Sequence, residues 1–212
     1  IYDLSQTPRL KDTLRNALYV LVEQDKTLVD LLRLLADASY RDQLTRRVED
    51  EIARLFWRVE FSSWSERYRT EAMSAIQNKV RPLLMNRRMR AILGQTGQSL
   101  NLRSVLDEGQ VLVANLSKGR VGEQNAILLG AMLVTGIQQA AMSRADVPEE
   151  ERRDAYLYVD EFQDFTTGSF ATILSESRKY RLNLTVAHQY LRQLQPETRD
   201  AAFGNVGSIV SF

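Results

Sequence analysis

The sequence predicts an α/β architecture, a parallel sheet with helices on its faces, preceded by an all-α region. Three observations carry that prediction. Apolar residues recur at helical spacing through the first hundred positions. From about Leu100, short apolar runs alternate with helical stretches, the rhythm of a parallel sheet with crossover helices. One of those runs, Ala155 to Val159, ends in two adjacent carboxylates, Asp160 and Glu161. The expected boundaries are a helical domain over 1–98 and an α/β domain over 99–212.

In the helical part, Thr7-Pro8 supplies a cap and a first-turn proline, after which Leu10, Leu14, Leu18, Leu21 and Val22 form one apolar stripe. Thr27 caps a second helix with Asp30 three residues on, and Leu28, Leu31, Leu32 and Leu35 line its face. Val48, Ile52, Leu55, Phe56 and Val59 predict a third, and Ala72, Ile76, Val80 and Leu84 a fourth. Pro82 should kink this last helix or open a new one. Gly94 and Gly97 close the region.

Beyond Leu100 the expected order is a strand over Val111 to Ala114, a polar loop Ser117 to Gly122, and a largely apolar helix Glu123 to Met142. A charged linker, Arg144 to Asp154, leads to the strand Ala155 to Val159, a helix around Phe170 to Tyr180 and the strand Leu182 to Ala187. A short helix near Thr198 to Phe203 and a last strand, Ser208 to Phe212, complete the pattern.

Composition narrows the chemistry. Of 212 residues, 44% are hydrophobic and 26% charged, which removes disordered and fibrous classes. The net charge of +1 gives no global argument for nucleic acid, so any basic surface must be local. With no Cys and one His, neither a disulfide framework nor a zinc site can be built, and the lack of Cys fits a reducing compartment. The longest apolar run, Ala126 to Ile137, is short for a bilayer span of about 20 residues and reads as a buried helix. The chain opens on Ile1, carries no signal-peptide pattern and ends within an apolar stretch, so both ends read as cuts in a longer protein.

Ligands gather at the carboxyl ends of strands in a parallel sheet, which is where Asp160 and Glu161 fall. That placement suits a Walker B pair, Asp160 holding hydrated Mg²⁺ on the phosphates and Glu161 orienting and deprotonating the attacking water. A bare Asp-Glu dipeptide equally starts a loop or caps a helix, so its context decides. Gln189, at the end of the following strand, is placed to sense the γ-phosphate or the water, while His188 reads as structural. The loop Ser117 to Gly122 can cradle an anion but is no phosphate loop: that motif needs Gly-Lys-Ser/Thr, and no lysine here follows a glycine. Gly94 to Ser99 also lacks the lysine. Between Arg67 and Arg90, basic residues outnumber acidic ones, and Arg87, Arg88 and Arg90 are candidates for tracking a nucleic-acid backbone; a solvated helix face is the other reading. Trp57 and Trp64 read as core or interface aromatics, not base-stacking platforms.

Four pieces together resemble the HerA/FtsK-type ATPases, and within them the type IV secretion and conjugative coupling proteins. They are Gly109 to Gly119 with Gly122-Glu123; Leu129-Gly130; Tyr158 to Phe162; and Ile173-Leu174 through Ser177 to Tyr180, continuing to Ala187 to Leu191. The resemblance implies a partial RecA-like core with an inserted helical domain, acting as a hexameric ring that threads DNA using ATP and Mg²⁺. It implies Asp160 and Glu161 as the Walker B pair and Gln189 as the sensor, with Arg178 or Arg181 as the arginine reaching a neighbouring subunit's ATP. The expected Walker A loop would lie upstream of Ile1 and the family's usual arginine just beyond Phe212. Secretion-channel or relaxase-type proteins are the implied partners, at a cytoplasmic location that becomes the inner membrane if an apolar anchor lies upstream. Two rivals stand beside this reading. A superfamily 1 helicase also carries Asp-Glu-Phe-Gln-Asp, as Asp160 to Asp164 does, and a helical adaptor docking a protein substrate would use the α/β part as scaffold.

Overall fold

The computed structural model describes residues 8–96, 100–166, 170–190, 192 and 194–211. The chain forms two compact units, Ile1–Ser99 and Leu100–Phe212.

The first unit is helical. Helix α1 (Pro8–Glu23) opens on its proline and buries Leu10, Ala17, Val20 and Leu21; the expected cap, Thr7, lies outside the described residues. Helix α2 (Leu28–Ala36) starts at Thr27, whose N–H and hydroxyl both donate to the Asp30 carboxylate at 3.0 Å. Helix α3 (Ala38–Thr45) follows directly, its Tyr40 hydroxyl donating to the same carboxylate at 2.9 Å. Helix α4 (Glu51–Leu55) runs through a π-helical turn, Phe56–Glu60, into α5 (Phe61–Ser63). This turn changes the face predicted for the third helix. Phe56, Trp57 and Phe61 turn inward, Trp57 and Phe61 with ring centroids 4.9 Å apart, while Ile52, Leu55 and Val59 are left exposed. A π turn inserts a residue into the helical repeat, so apolar positions spaced for 3.6 residues no longer share one side. Helix α6 (Glu66–Met85) continues through Pro82 without a break, and Asn86 then caps α7 (Arg87–Leu93) by accepting from the Arg88 and Met89 N–H groups.

The second unit begins with α8 (Leu102–Glu108), stopped by Gly109 at φ 67°. A side chain there would meet the left-handed strain and also the Arg153 guanidinium, which lies 2.2 Å from where a Cβ would sit. Then come α9 (Lys118–Val121), α10 (Glu123–Met142), β1 (Ala155–Val159), α11 (Phe170–Glu176), β2 (Leu182–Val186) and α12 (Pro196–Asn205). Strands β1 and β2 pair in parallel, Ala155 opposite Leu182 through Val159 opposite Val186. Ala155, Leu157, Val159, Leu182, Leu184 and Val186 turn to one face, packing with Val134, Ile137, Ala140 and Ala141 of α10 and with Phe162, Phe170 and Ile173. The other face is bare, with Tyr156 65% and Tyr158 73% exposed.

The expected RecA-like parallel sheet is overturned. Helix makes up 69% of the described residues, and the described sheet has two strands. Val111 to Ala114 forms no strand, and its Val111 and Val113 are 90% and 84% exposed; Ser208 to Ser211 likewise stays unpaired, with Phe212 outside the described residues. A strand exists only through a ladder partner, so apolar composition without a neighbouring edge leaves an extended, solvated segment. The predicted loop Ser117 to Gly122 contains the short helix α9 instead. Helix α10 has the bounds expected of it, Glu123–Met142. Among the described residues, Glu123–Asp146 is the one stretch long and apolar enough to cross a membrane, with mean hydropathy 1.5, and 44% of that window is buried within the protein.

Arg144 organises this unit. Its side chain is 1% exposed. Its Nε donates to Asp107 Oδ1 at 2.8 Å, and Nη1 donates to the carbonyls of Arg153 at 2.9 Å and Tyr180 at 3.0 Å. One guanidinium thus ties α8 to the residues leading into both strands. Arg103 holds the other oxygen of Asp107 and reaches Asp146 at 3.0 Å. Burial pushes the Asp107 carboxyl up, but the hydrogen bonds from Arg103 and Arg144 outweigh it and the net direction is down.

Removing a buried charged partner strands the groups it satisfied, so Arg144→Ala should cost about 3 kcal/mol of unfolding free energy, read from the urea midpoint. Because Asp107 has a lowered native pKa, its contribution is complete above the unfolded carboxyl value and disappears as pH falls through the native one. Stability should therefore drop below about pH 4, and Asp107→Asn should flatten that part of the urea-midpoint profile against pH.

Candidate active site at the strand tips

The carboxyl ends of β1 and β2 are joined beyond the ladder itself. Ala187 N–H donates to Val159 O at 2.9 Å, and Phe162 N–H donates back to Ala187 O at 3.0 Å. Between them the chain turns sharply at Glu161, whose φ of 50° is left-handed, a conformation costing a non-glycine residue about 1 kcal/mol. The turn is held by a single 3₁₀ turn, Phe162–Asp164, with Phe162 fully buried. Its ring lies 5.5 Å from Phe170 and 5.2 Å from the edge-on His188 imidazole.

This geometry brings three of the predicted residues together. Asp160 is exposed, one of its oxygens accepting the Glu161 N–H at 3.0 Å. Glu161 has an amide on each oxygen: Gln189 Nε2 donates to Oε1, and Gln163 Nε2 donates to Oε2 at 2.6 Å. His188 packs on Phe162, but its Nδ1 is buried without the partner expected of a structural histidine.

Arg178 is elsewhere. It lies in the 3₁₀ turn Ser177–Tyr180 that precedes β2, whereas Glu161 and Gln189 follow the strands, so the sheet separates it from the tip of its own chain. Arg181, the other candidate, pairs with Asp154 at 3.7 Å at that same opposite end. Arg87, Arg88 and Arg90 lie on α7 in the first unit, all exposed, with Arg90 Nη1 donating to Leu84 O at 3.2 Å.

Residues that sequence reasoning passes over complete the site. Lys118 pairs with Asp164 at 2.8 Å and Glu123 at 3.2 Å; these two hydrogen bonds, Asp164's first, raise its pKa. Gln163 and Asp164 stand in the Asp160 to Asp164 run, whose composition is visible in the sequence but whose contacts are not. Nothing in the spacing of Lys118 and Asp164 announces their pairing. On the other side, Phe165 packs against α10 where Gly130 leaves room: a Cβ there would come within 2.2 Å of the ring.

As for a metal, no group of three or more His, Cys, Asp or Glu is assembled among the described residues. A hydrated Mg²⁺ held by one carboxylate and by phosphate oxygens is the arrangement that exposed Asp160 fits. No protein-family model matches this chain, nor does any curated protein or solved structure.

In Gly130→Ala the helix gains about 1 kcal/mol of propensity, but an overpacked aromatic contact costs about 1–3 kcal/mol. The bulky, backbone-close Phe165 ring should make the balance a net loss of up to about 2 kcal/mol, measured by urea denaturation.

Proposed function

We propose that this chain carries the metal-facing and water-activating half of an ATP-hydrolysing site in a DNA-translocating motor of the coupling-protein kind. The observation that supports it is the contact between Glu161 and Gln189, side chains 28 residues apart that meet across neighbouring strand ends. An acid at one tip and an amide at the next is the pairing needed to orient a water and register the phosphate it attacks.

In this reading Glu161 takes a proton from the attacking water and Gln189 aligns that water. Asp160 holds hydrated Mg²⁺, which when bound supplies charge neutralisation at the phosphates. Lys118 and Asp164 keep the turn that carries Glu161 in place. Arg87, Arg88 and Arg90 give α7 a cationic surface for the phosphates of DNA. The motor works as a homo-oligomeric ring, in which Arg178 of one subunit serves the site of the next, and secretion-channel or relaxase-type proteins are its partners.

Because no Gly-Lys-Ser/Thr sequence occurs in these 212 residues, the chain by itself should show no magnesium-dependent ATP turnover. Joined to a segment that provides such a loop, it should hydrolyse ATP in a DNA-stimulated manner, and Glu161→Gln should lower kcat by about 10²–10⁴ while ATP remains bound. Unchanged hydrolysis in that variant would remove Glu161 as the base.

A further inference from the structure

Glu161 is held by two amides, and the two are not equivalent. We infer that Gln163 is a positioning residue that fixes the Glu161 carboxylate, and that Gln189 is the amide that gives way when water or a ligand arrives. The inference rests on the role proposed for Glu161 and adds a division of labour to it.

Gln163 sits on a turn with little freedom. Phe162 before it is fully buried, Asp164 after it is paired with Lys118, and the Gln163 carbonyl accepts from Thr166 Oγ1 at 3.1 Å. Its own side chain is half-buried, with Nε2 on Glu161 and Oε1 buried without a partner. Reversing the amide would place an oxygen against the carboxylate, so the donor orientation is dictated by charge. An acceptor left unsatisfied is unfavourable, and the Glu161 contact is what the side chain gains in return.

Gln189 is exposed and follows β2 outside regular structure. Water can replace its amide on Glu161 Oε1 at little cost, because an exposed hydrogen bond exchanges one polar partner for another. With the Gln189 amide moved from Oε1 onto the incoming water, Oε1 opens toward the tip while Gln163 still holds Oε2. The carboxylate then meets an incoming water in one orientation instead of many, which is what an efficient base requires.

The test is amide hydrogen exchange of glutamine side chains in the ¹⁵N-labelled chain, with the resonances assigned through Gln163→Glu and Gln189→Glu. The Gln163 carboxamide protons should exchange about tenfold more slowly than those of Gln189. That protection should vanish in Glu161→Ala and survive in Gln189→Ala. Glu161→Gly, which suits the positive φ, replaces the alanine variant if that one fails to fold. Equal exchange at the two glutamines overturns the inference, as does Gln163 protection that persists without the Glu161 carboxylate, since the latter marks a purely structural side chain. The measurement needs no nucleotide, so its failure leaves the proposed hydrolysis to stand or fall on its own assay.

Discussion

The second unit depends on one buried cation. Arg144 sits almost out of contact with solvent and commits its hydrogen bonds to Asp107 and to the carbonyls that precede each strand. A guanidinium is suited to this because its donors lie in a fixed plane, so three partners are oriented at once. By anchoring the residues ahead of β1 and β2, it sets where both strands start. Parallel pairing then carries that alignment to the far end, where Val159 stands opposite Val186. The meeting of Glu161 with Gln189 is thus a downstream result of a contact made at the other end of the sheet.

At the tip, local strain and long-range packing act together. The left-handed turn at Glu161 would be unfavourable alone, but Phe162 closes it by filling a buried position against Phe170 and His188. Such conformations persist only where surrounding structure over-determines them. Gly130 belongs to the same arrangement, since the absent side chain lets Phe165 lie on α10 and brings the turn close to the helix. The acid at the strand end therefore rests on a platform whose parts come from β1, β2, α10 and the Lys118 turn.

How much of this is legible in the sequence follows from the range of the forces involved. The α2 start is readable because Thr27 and Asp30 are three residues apart and bond to each other. Asp160 and Glu161 at a strand end are readable for the same local reason. The exposed face of the third helix is not, because the π turn at Phe56–Glu60 is stabilised by aromatic packing rather than by a pattern of spacing. The strands expected at Val111 and Ser208 fail because their composition says nothing about whether an edge is available to receive them.

The amino-acid sequence alone determined the helices α1, α2, α6 and α10, that an acidic pair follows an apolar strand, and that no Gly-Lys-Ser/Thr loop occurs in these 212 residues. Only the tertiary structure decided that two strands pair, that Arg144 ties their beginnings together, and that Gln163, Lys118 and Asp164 surround Glu161. Helices and caps are made by hydrogen bonds between residues a few positions apart, so their signal is local. Sheets, buried ion pairs and the contacts of a site join residues dozens of positions apart, and chain folding chooses their partners.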